Sequence, residues 1–304
     1  MKRPCKLLCL LLTVLLLVSC APDAPTDTKK ALTFTDSTGH EVVLPKAPER
    51  VAVLLSSFAE IWQLAGGEVA VSVGESVERG FCNESTVLVD DGAGKSINTE
   101  VLIASAPDLV ILSADIPAQV EAAALCRAAG IPVAEMRVEC FAEYLAMLKI
   151  CTDLTGRSDL YAQHGEAQAA QIEALIAGKP LNGMKILFVR AGTSARSVKP
   201  KSSADHFAAA MLAELGATNI ADGTPLLADG LSMEYILAED PDHIYFTSMG
   251  DEQASLAFVT EMLQEPEWQA LSAVRNGNYT FLPKETFHYK PNGSWANAYA
   301  YLCN

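Results

Sequence analysis

INTEVLIASAPDLVIL, Ile97 to Leu112, and LSMEYILAEDPDHIYF, Leu231 to Phe246, stand 134 positions apart and repeat one pattern. In register they share Glu100 and Glu234, Ala104 and Ala238, Pro107 and Pro241, and Asp108 and Asp242. Apolar residues match at Ile97/Leu231, Leu102/Ile236, Ile103/Leu237 and Val110/Ile244. Each copy reads as a polar N-cap (Asn98, Ser232), a short helix with Glu in its first turn, a Pro-Asp stop and an apolar run of strand type. A helix followed by a buried strand is half of a parallel α/β layer, so each copy marks one doubly wound lobe and the chain holds two. A first-turn carboxylate complements the helix dipole by roughly 0.3–1 kcal/mol. That accounts for one Glu; two at matched positions in two lobes invite a second reason.

Between the copies, SDLYAQHGEAQAAQIEALIA (Ser158 to Ala177) is rich in Ala, Gln and Glu with apolar residues at helical spacing. It predicts one helix, roughly 30 Å long, joining the lobes. Upstream, Leu32 to Pro45 alternates around Ser37-Thr38-Gly39 and reads as a β-hairpin. A buried strand follows, then Ser57-Phe58-Ala59-Glu60 as a capping box opening a helix that stops at Gly66-Gly67. SVERGFCNEST has no period and reads as a loop. The second lobe starts with strand MKILFVR, passes a basic loop GTSARSVKPKSS and a helix from Ala204, and after its repeat copy ends in strand NGNYTFLP and a helix from about Ser294. The expected domains are an N-terminal lobe over 32–157, a linker helix over 158–178 and a C-terminal lobe over 179–304.

The first residues address the compartment. Lys2, Arg3 and Lys6 precede Leu7 to Val18, an apolar run too short to span a bilayer and right for a signal-peptide core. Leu17-Val18-Ser19-Cys20 has the form of a lipobox, which predicts cleavage after residue 19 and diacylation of Cys20. Residues 20–31 then read as a flexible tether. Removing 1–19 takes away Lys2, Arg3 and Lys6 and no acid, so the net charge moves from −15 to −18. No basic face for nucleic acid is suggested. Cys82, Cys126, Cys140, Cys151 and Cys303 show no CxxC spacing and read as mostly buried thiols, with one or two disulfides open.

These pieces together resemble a known family. TDSTGHEVVLPKAPERVAVL, SFAEIWQLAG, INTEVLIASAPDLVI, MLAELGATNIAD, LSMEYILAEDPDHIYF and EWQALSAVRNGNYTFLP run in order from Thr35 to Pro283. They are similar to the binding proteins of ABC importers that carry ferric siderophores, haem or cobalamin. The resemblance implies an α/β fold of two doubly wound lobes with parallel sheets, bridged by a single long α-helix, of the class III periplasmic-binding-protein kind. It implies a monomeric, extracytoplasmic lipoprotein held to the membrane through its lipid anchor only, with an ABC permease dimer and its ATPase as partners, a small-molecule metal chelate as ligand, no catalysis and no resident cofactor. It also gives Glu100 and Glu234 the task of docking to permease arginines, one lobe per subunit.

The ligand is expected between the lobes, at the carboxyl ends of the strands. Candidates there are Ser57, Phe58, Arg79, Arg137, Arg190, Arg196, Lys199, His288, Tyr289, Lys290 and Trp295. Arginine suits carboxylate, catecholate or propionate oxygens because its planar fork forms paired, charge-assisted hydrogen bonds. Family members use His or Tyr of such loops to complete the coordination of chelated iron, which points to His288 or Tyr289. Of the five histidines only His206 and His288 are placed to face the crevice, too few to cage a bare metal ion. The leading expectation is therefore an iron-chelate or haem carrier. A cobalamin or corrinoid carrier, a chelatase-like enzyme on the same scaffold, and an adhesin or sensor binding the same solute are the alternatives. GxSxG, HExxH and Gly-rich phosphate motifs are absent from the sequence.

Overall fold

The computed structural model describes residues 31–90, 92, 95–194, 197–222 and 232–303. The expected lipidation site Cys20, nearly all of the tether and the candidate Arg196 lie outside these residues.

Strands β1 (Leu32–Thr35) and β2 (Glu41–Leu44) pair antiparallel. Their turn is held by the Asp36 carboxylate, which accepts N–H bonds from Thr38 and His40, and Gly39 supplies the left-handed φ of 87°. The first lobe follows as β3 (Val51–Val53), α1 (Ser56–Leu64), β4 (Val69–Ser72), α2 (Gly74–Glu78), β5 (Val87–Leu88), α3 (Thr99–Ala104), β6 (Leu109–Ser113), α4 (Pro117–Ala128), β7 (Val133–Met136) and α5 (Phe141–Thr155). Its strands are all parallel in the order β5-β4-β3-β6-β7, so the winding reverses between β3 and β6. Nearly unbroken burial of these short apolar runs is what a sheet covered by helices on both faces requires.

The chain then crosses in one uninterrupted helical path: α6 (Ser158–Tyr161), a π turn (Ala162–Glu166) and α7 (Ala167–Gly178), ended by Lys179 in the left-handed region. The π turn is not encoded in the apolar spacing; Gly165 lies there, with space beside it filled by Leu145 and Tyr161. The second lobe is β8 (Lys185–Ala191), β9 (Lys199–Pro200), α8 (Phe207–Glu214), β10 (Thr218–Asn219), α9 (Met233–Glu239), β11 (His243–Ser248), α10 (Glu252–Met262), α11 (Pro266–Gln269), α12 (Ser272–Arg275), β12 (Tyr279–Leu282), α13 (Lys284–Phe287), a 3₁₀ turn (Asn292–Ser294) and α14 (Trp295–Leu302). Strand order is β10-β8-β11-β12, parallel, with β9 antiparallel on β8.

The sequence repeat has a physical basis. In each lobe the Asp after the conserved-in-register Pro reaches the amino end of the neighbouring central strand. Asp108 accepts from the N–H groups of Glu49 (2.8 Å) and Arg50 (3.0 Å), and Asp242 from that of Lys185 (2.8 Å). The residues before the prolines, Ala106 and Asp240, are both left-handed, with φ of 46° and 38°. Helix, reversal and strand thus form one fixed unit, used twice.

Two apolar clusters cover the outer faces of the two sheets. A third runs without a break from the inner face of the first sheet through α1, α5, α7 and α14 to the inner face of the second. Trp295 sits in it among Phe141 (5.9 Å), Tyr144 (6.4 Å) and Phe207 (5.7 Å). A close-packed core shared by both lobes resists large opening, because separating them would expose that surface to water.

Three local expectations are corrected. Ser57 does not cap α1, whose N-cap is Leu55 with no side-chain bond, because Ser57 and Glu60 are drawn into the contact between the lobes. Ser232 makes no capping bond, whereas Asn98 accepts from Val101 N–H at 3.1 Å. Part of the expected loop after β4 is helical, as α2, where Ser76 turns inward to accept from Ser72 at 2.8 Å. The five cysteines of the described chain are free thiols.

Candidate ligand crevice

Because all the strands of each lobe's sheet but the two-residue β9 run one way, their carboxyl ends gather the connecting loops along a single edge. From the first lobe these loops bring the opening turn of α1 and the segment after α2; from the second, the ends of β8 and β9 and the residues after α13. They meet.

Arg79, at the end of α2, is the centre of the first-lobe wall. Its Nη1 donates to Ser56 Oγ (3.0 Å) and Ser57 Oγ (3.2 Å), and its Nη2 lies 3.5 Å from Glu60. The guanidinium stands 4.8 Å from the Phe81 ring centroid and 4.2 Å from that of Tyr289, which belongs to the other lobe. Ser56 donates in turn to Glu75 at 2.5 Å. Burial pushes the Glu60 carboxyl upward against the opposing pull of Asn292 and Arg79. Burial, reinforced by Glu75, also raises the Tyr289 phenol, so it stays protonated and stacks.

The second-lobe wall is cationic. Arg190, at the carboxyl end of β8, has a buried Nε without a hydrogen-bond partner, and Lys199 is its neighbour across the β8–β9 pair. Lys290 pairs with Glu139 of the first lobe at 2.6 Å and lies 4.7 Å from the Phe207 ring centroid. His288, half-buried, is pushed downward by burial and by Lys284 and Arg190. His206 is pushed down to about 3 by burial first, then by Lys290, Arg190, Lys201 and His288.

Asn292 was not among the expected residues. Fully buried and left-handed (φ 42°), it donates to Ser57 O (2.9 Å) and Glu60 Oε2 (2.8 Å), while its carbonyl accepts from Gln168 of the linker helix at 3.2 Å. One residue ties both lobes and the linker. The signal was the Asn-Gly pair at 292–293, a turn dipeptide whose long-range partners no local pattern reveals.

Other candidates are placed elsewhere. Phe58 is 3% exposed and faces the shared core, because the register of α1 turns it inward. Trp295, 1% exposed, is likewise core rather than crevice wall, with its indole N–H unbonded. Arg137 spends its fork on Asp115, through contacts of 3.0, 3.0 and 2.7 Å, at the solvent-exposed rim. His206 does not face the crevice: it accepts from Ala208 N–H as the cap of α8, stacks on Phe207 and lies tilted against Phe188. Glu100 and Glu234 are exposed in the first turns of α3 and α9 and form no ion pair among the described residues. Among the described residues no group of three His, Cys, Asp or Glu is placed to hold a metal ion, and no helix is long and apolar enough to cross a membrane.

A family profile described as "Periplasmic binding protein" matches residues 51–286. No sequence among the curated proteins matches the chain. Similar solved structures include the periplasmic catecholate-siderophore binding protein of Vibrio cholerae, at 12% identity and a TM-score of 0.69, covering 90% of this chain and 98% of that one. The petrobactin-binding protein of Bacillus subtilis gives 16% and 0.72, covering 90% and 96%. The periplasmic vitamin B12 binding protein of Vibrio cholerae gives 16% and 0.67, covering 85% and 96%. At these identities the likeness speaks for the fold.

Proposed function

This chain belongs to the periplasmic binding protein family, and from that membership we propose that it falls in the Fe/B12 branch and is the extracytoplasmic capture lipoprotein of an ABC importer for an anionic metal chelate. In this reading Cys20 carries the lipid anchor, and Glu100 and Glu234 dock one lobe to each permease subunit. Matched charges on the two lobes meeting two symmetry-related cations fix orientation more than they add affinity.

The observation that supports an anionic ligand is the unequal pairing of the two walls. Arg79 is fully engaged by Ser56, Ser57, Glu60 and Tyr289, whereas Arg190 keeps a buried, unbonded Nε with Lys199, Lys201 and Lys290 close by in the same lobe. A buried donor on a cation wants a charged acceptor. The chelate's oxygens would take that place after the Arg79–Tyr289 stack parts, with Phe81 and Tyr289 offering ring faces to a planar ligand. Nothing is catalysed: capture, a small closure about the linker helix and delivery are the whole cycle. A ferric siderophore or haem fits the charge; a corrinoid would rely on the ring faces instead.

The test is calorimetric titration of the mature protein against a ferric catecholate, a ferric citrate-type chelate, haemin and cobalamin. Arg190→Ala should weaken the anionic ligands at least tenfold, with raised salt weakening them further. The anionic reading fails if cobalamin alone binds tightly, or if Arg190→Ala leaves every anionic ligand unchanged.

A further inference from the structure

Beside the crevice lies a second hollow of about 340 Å³, between the second-lobe sheet and α10. Ala191, Phe246, Phe281, Leu256 and Val259 give it apolar walls. Thr247 and Ser255 also line it, but their hydroxyls donate to the carbonyls of Phe287 and Asp251, whereas Ser248, at the carboxyl end of β11 and 8% exposed, has an Oγ with no hydrogen-bond partner. A buried hydroxyl without a partner is uncommon enough to require a reason, and a ligand is one.

The pocket and the crevice share a wall. Thr247, which lines the pocket, donates its hydroxyl at 3.2 Å to the carbonyl of Phe287, so the segment that carries His288 to the crevice is fastened to the pocket wall. At the mouth, the Glu252 carboxylate accepts the Lys284 N–H at 2.9 Å, and the Lys284 ammonium lies 5.8 Å from the Tyr289 ring centroid. Leu256, 43% exposed, stands at the entrance. The volume is near the lower end of small-molecule sites, which run to about 300–1,000 Å³, so it admits a chain and excludes a whole chelate.

We propose that this pocket receives the hydrocarbon chain of an anionic amphiphile whose charged part occupies the crevice, with Ser248 Oγ bonding the first polar group of the chain. The placement of the head rests on the anionic-ligand reading above; the chain's site rests on the pocket's own walls. The transported solute is then a chelate bearing an alkyl or acyl tail, and the pocket selects it over its tailless counterpart.

Hexanoate, octanoate and decanoate serve as metal-free probes, titrated calorimetrically into the mature protein. Burial of each added methylene should tighten binding about fourfold until the pocket is filled. Leu256→Trp, which plugs the mouth from a half-exposed position, should weaken decanoate at least tenfold, whereas Leu256→Ala should retain it. Ser248→Ala, which removes no native hydrogen bond, should weaken decanoate about threefold or more with an unchanged melting temperature. Equal affinity along the series, or decanoate binding to Leu256→Trp as to the parent protein, overturns the proposal. Since the probes hold no metal, their failure leaves the chelate reading standing, and failure of every chelate leaves this pocket to be judged by the alkyl series alone.

Discussion

The Arg79 guanidinium lies 4.2 Å from the ring centroid of Tyr289, a residue 210 positions later and in the other lobe. A cation over an aromatic face thus bridges the two walls of the crevice, an interaction worth about 0.5–2 kcal/mol depending on desolvation. That is strong enough to order the loops and weak enough for a chelate to displace.

Tyr289→Phe should bind iron chelates within about threefold of the parent protein and leave the visible absorption of the bound chelate unchanged. The phenol is raised by burial and by Glu75, which opposes the phenolate that ferric iron would need, while the ring face survives the substitution. Tyr289→Ala should weaken binding about tenfold. A shifted absorption band for Tyr289→Phe would mean that the phenol ligates iron.

Asn292→Ala should destabilise the protein by about 2–4 kcal/mol, through two lost buried hydrogen bonds and a left-handed φ that alanine resists. Asn292→Gly, which accepts that φ, should recover about 1 kcal/mol of the loss. Denaturant unfolding of the three proteins checks the order.

Stability should rise with pH between about 4 and 6 on account of His206. Its imidazole protonates near 6.5 when unfolded but only near 3 when folded, so in that window the unfolded chain holds the extra proton and acid favours it. The slope from this one group approaches roughly 1.4 kcal/mol per pH unit. Above the unfolded value the contribution is complete and the curve is flat with respect to His206. His206→Asn, which keeps a capping oxygen for α8, should remove this part of the slope; an unchanged slope would place the titration elsewhere.

Glu100→Ala and Glu234→Ala, singly and more so together, should impair uptake while leaving the dissociation constant within about twofold, because exposed rim charges act on docking rather than on the crevice. Transport and binding measured side by side decide the matter, and a large loss of ligand affinity would move these residues into the site.

Much of this architecture was legible because it is written in short-range pattern. The helix–Pro-Asp–strand unit, the hairpin around Gly39 and the linker helix each depend on residues a few positions apart, where φ preference, capping and apolar spacing act directly. The first-turn positions of Glu100 and Glu234 followed from the same unit. The crevice was legible only in part. The loops were identified from strand ends, and Arg79, His288, Tyr289 and Lys290 do lie in connecting segments there, while Arg190 is the penultimate residue of β8 itself; which side chain turns toward the partner lobe was not.

Sequence by itself determined the two lobes, their parallel sheets and the helix between them, since a repeated local code must fold the same way twice. Tertiary structure alone decided that Phe58 and Trp295 belong to a core shared by both lobes, that Arg137 is spent on Asp115, and that Arg79 meets Tyr289. It decided too that Asn292, one residue in a left-handed turn, fastens Ser57, Glu60 and Gln168 together. These outcomes depend on contacts across up to 235 positions, and hydrogen-bond partners and packing neighbours at that range are set by how whole layers dock, for which no spacing along the chain is a guide.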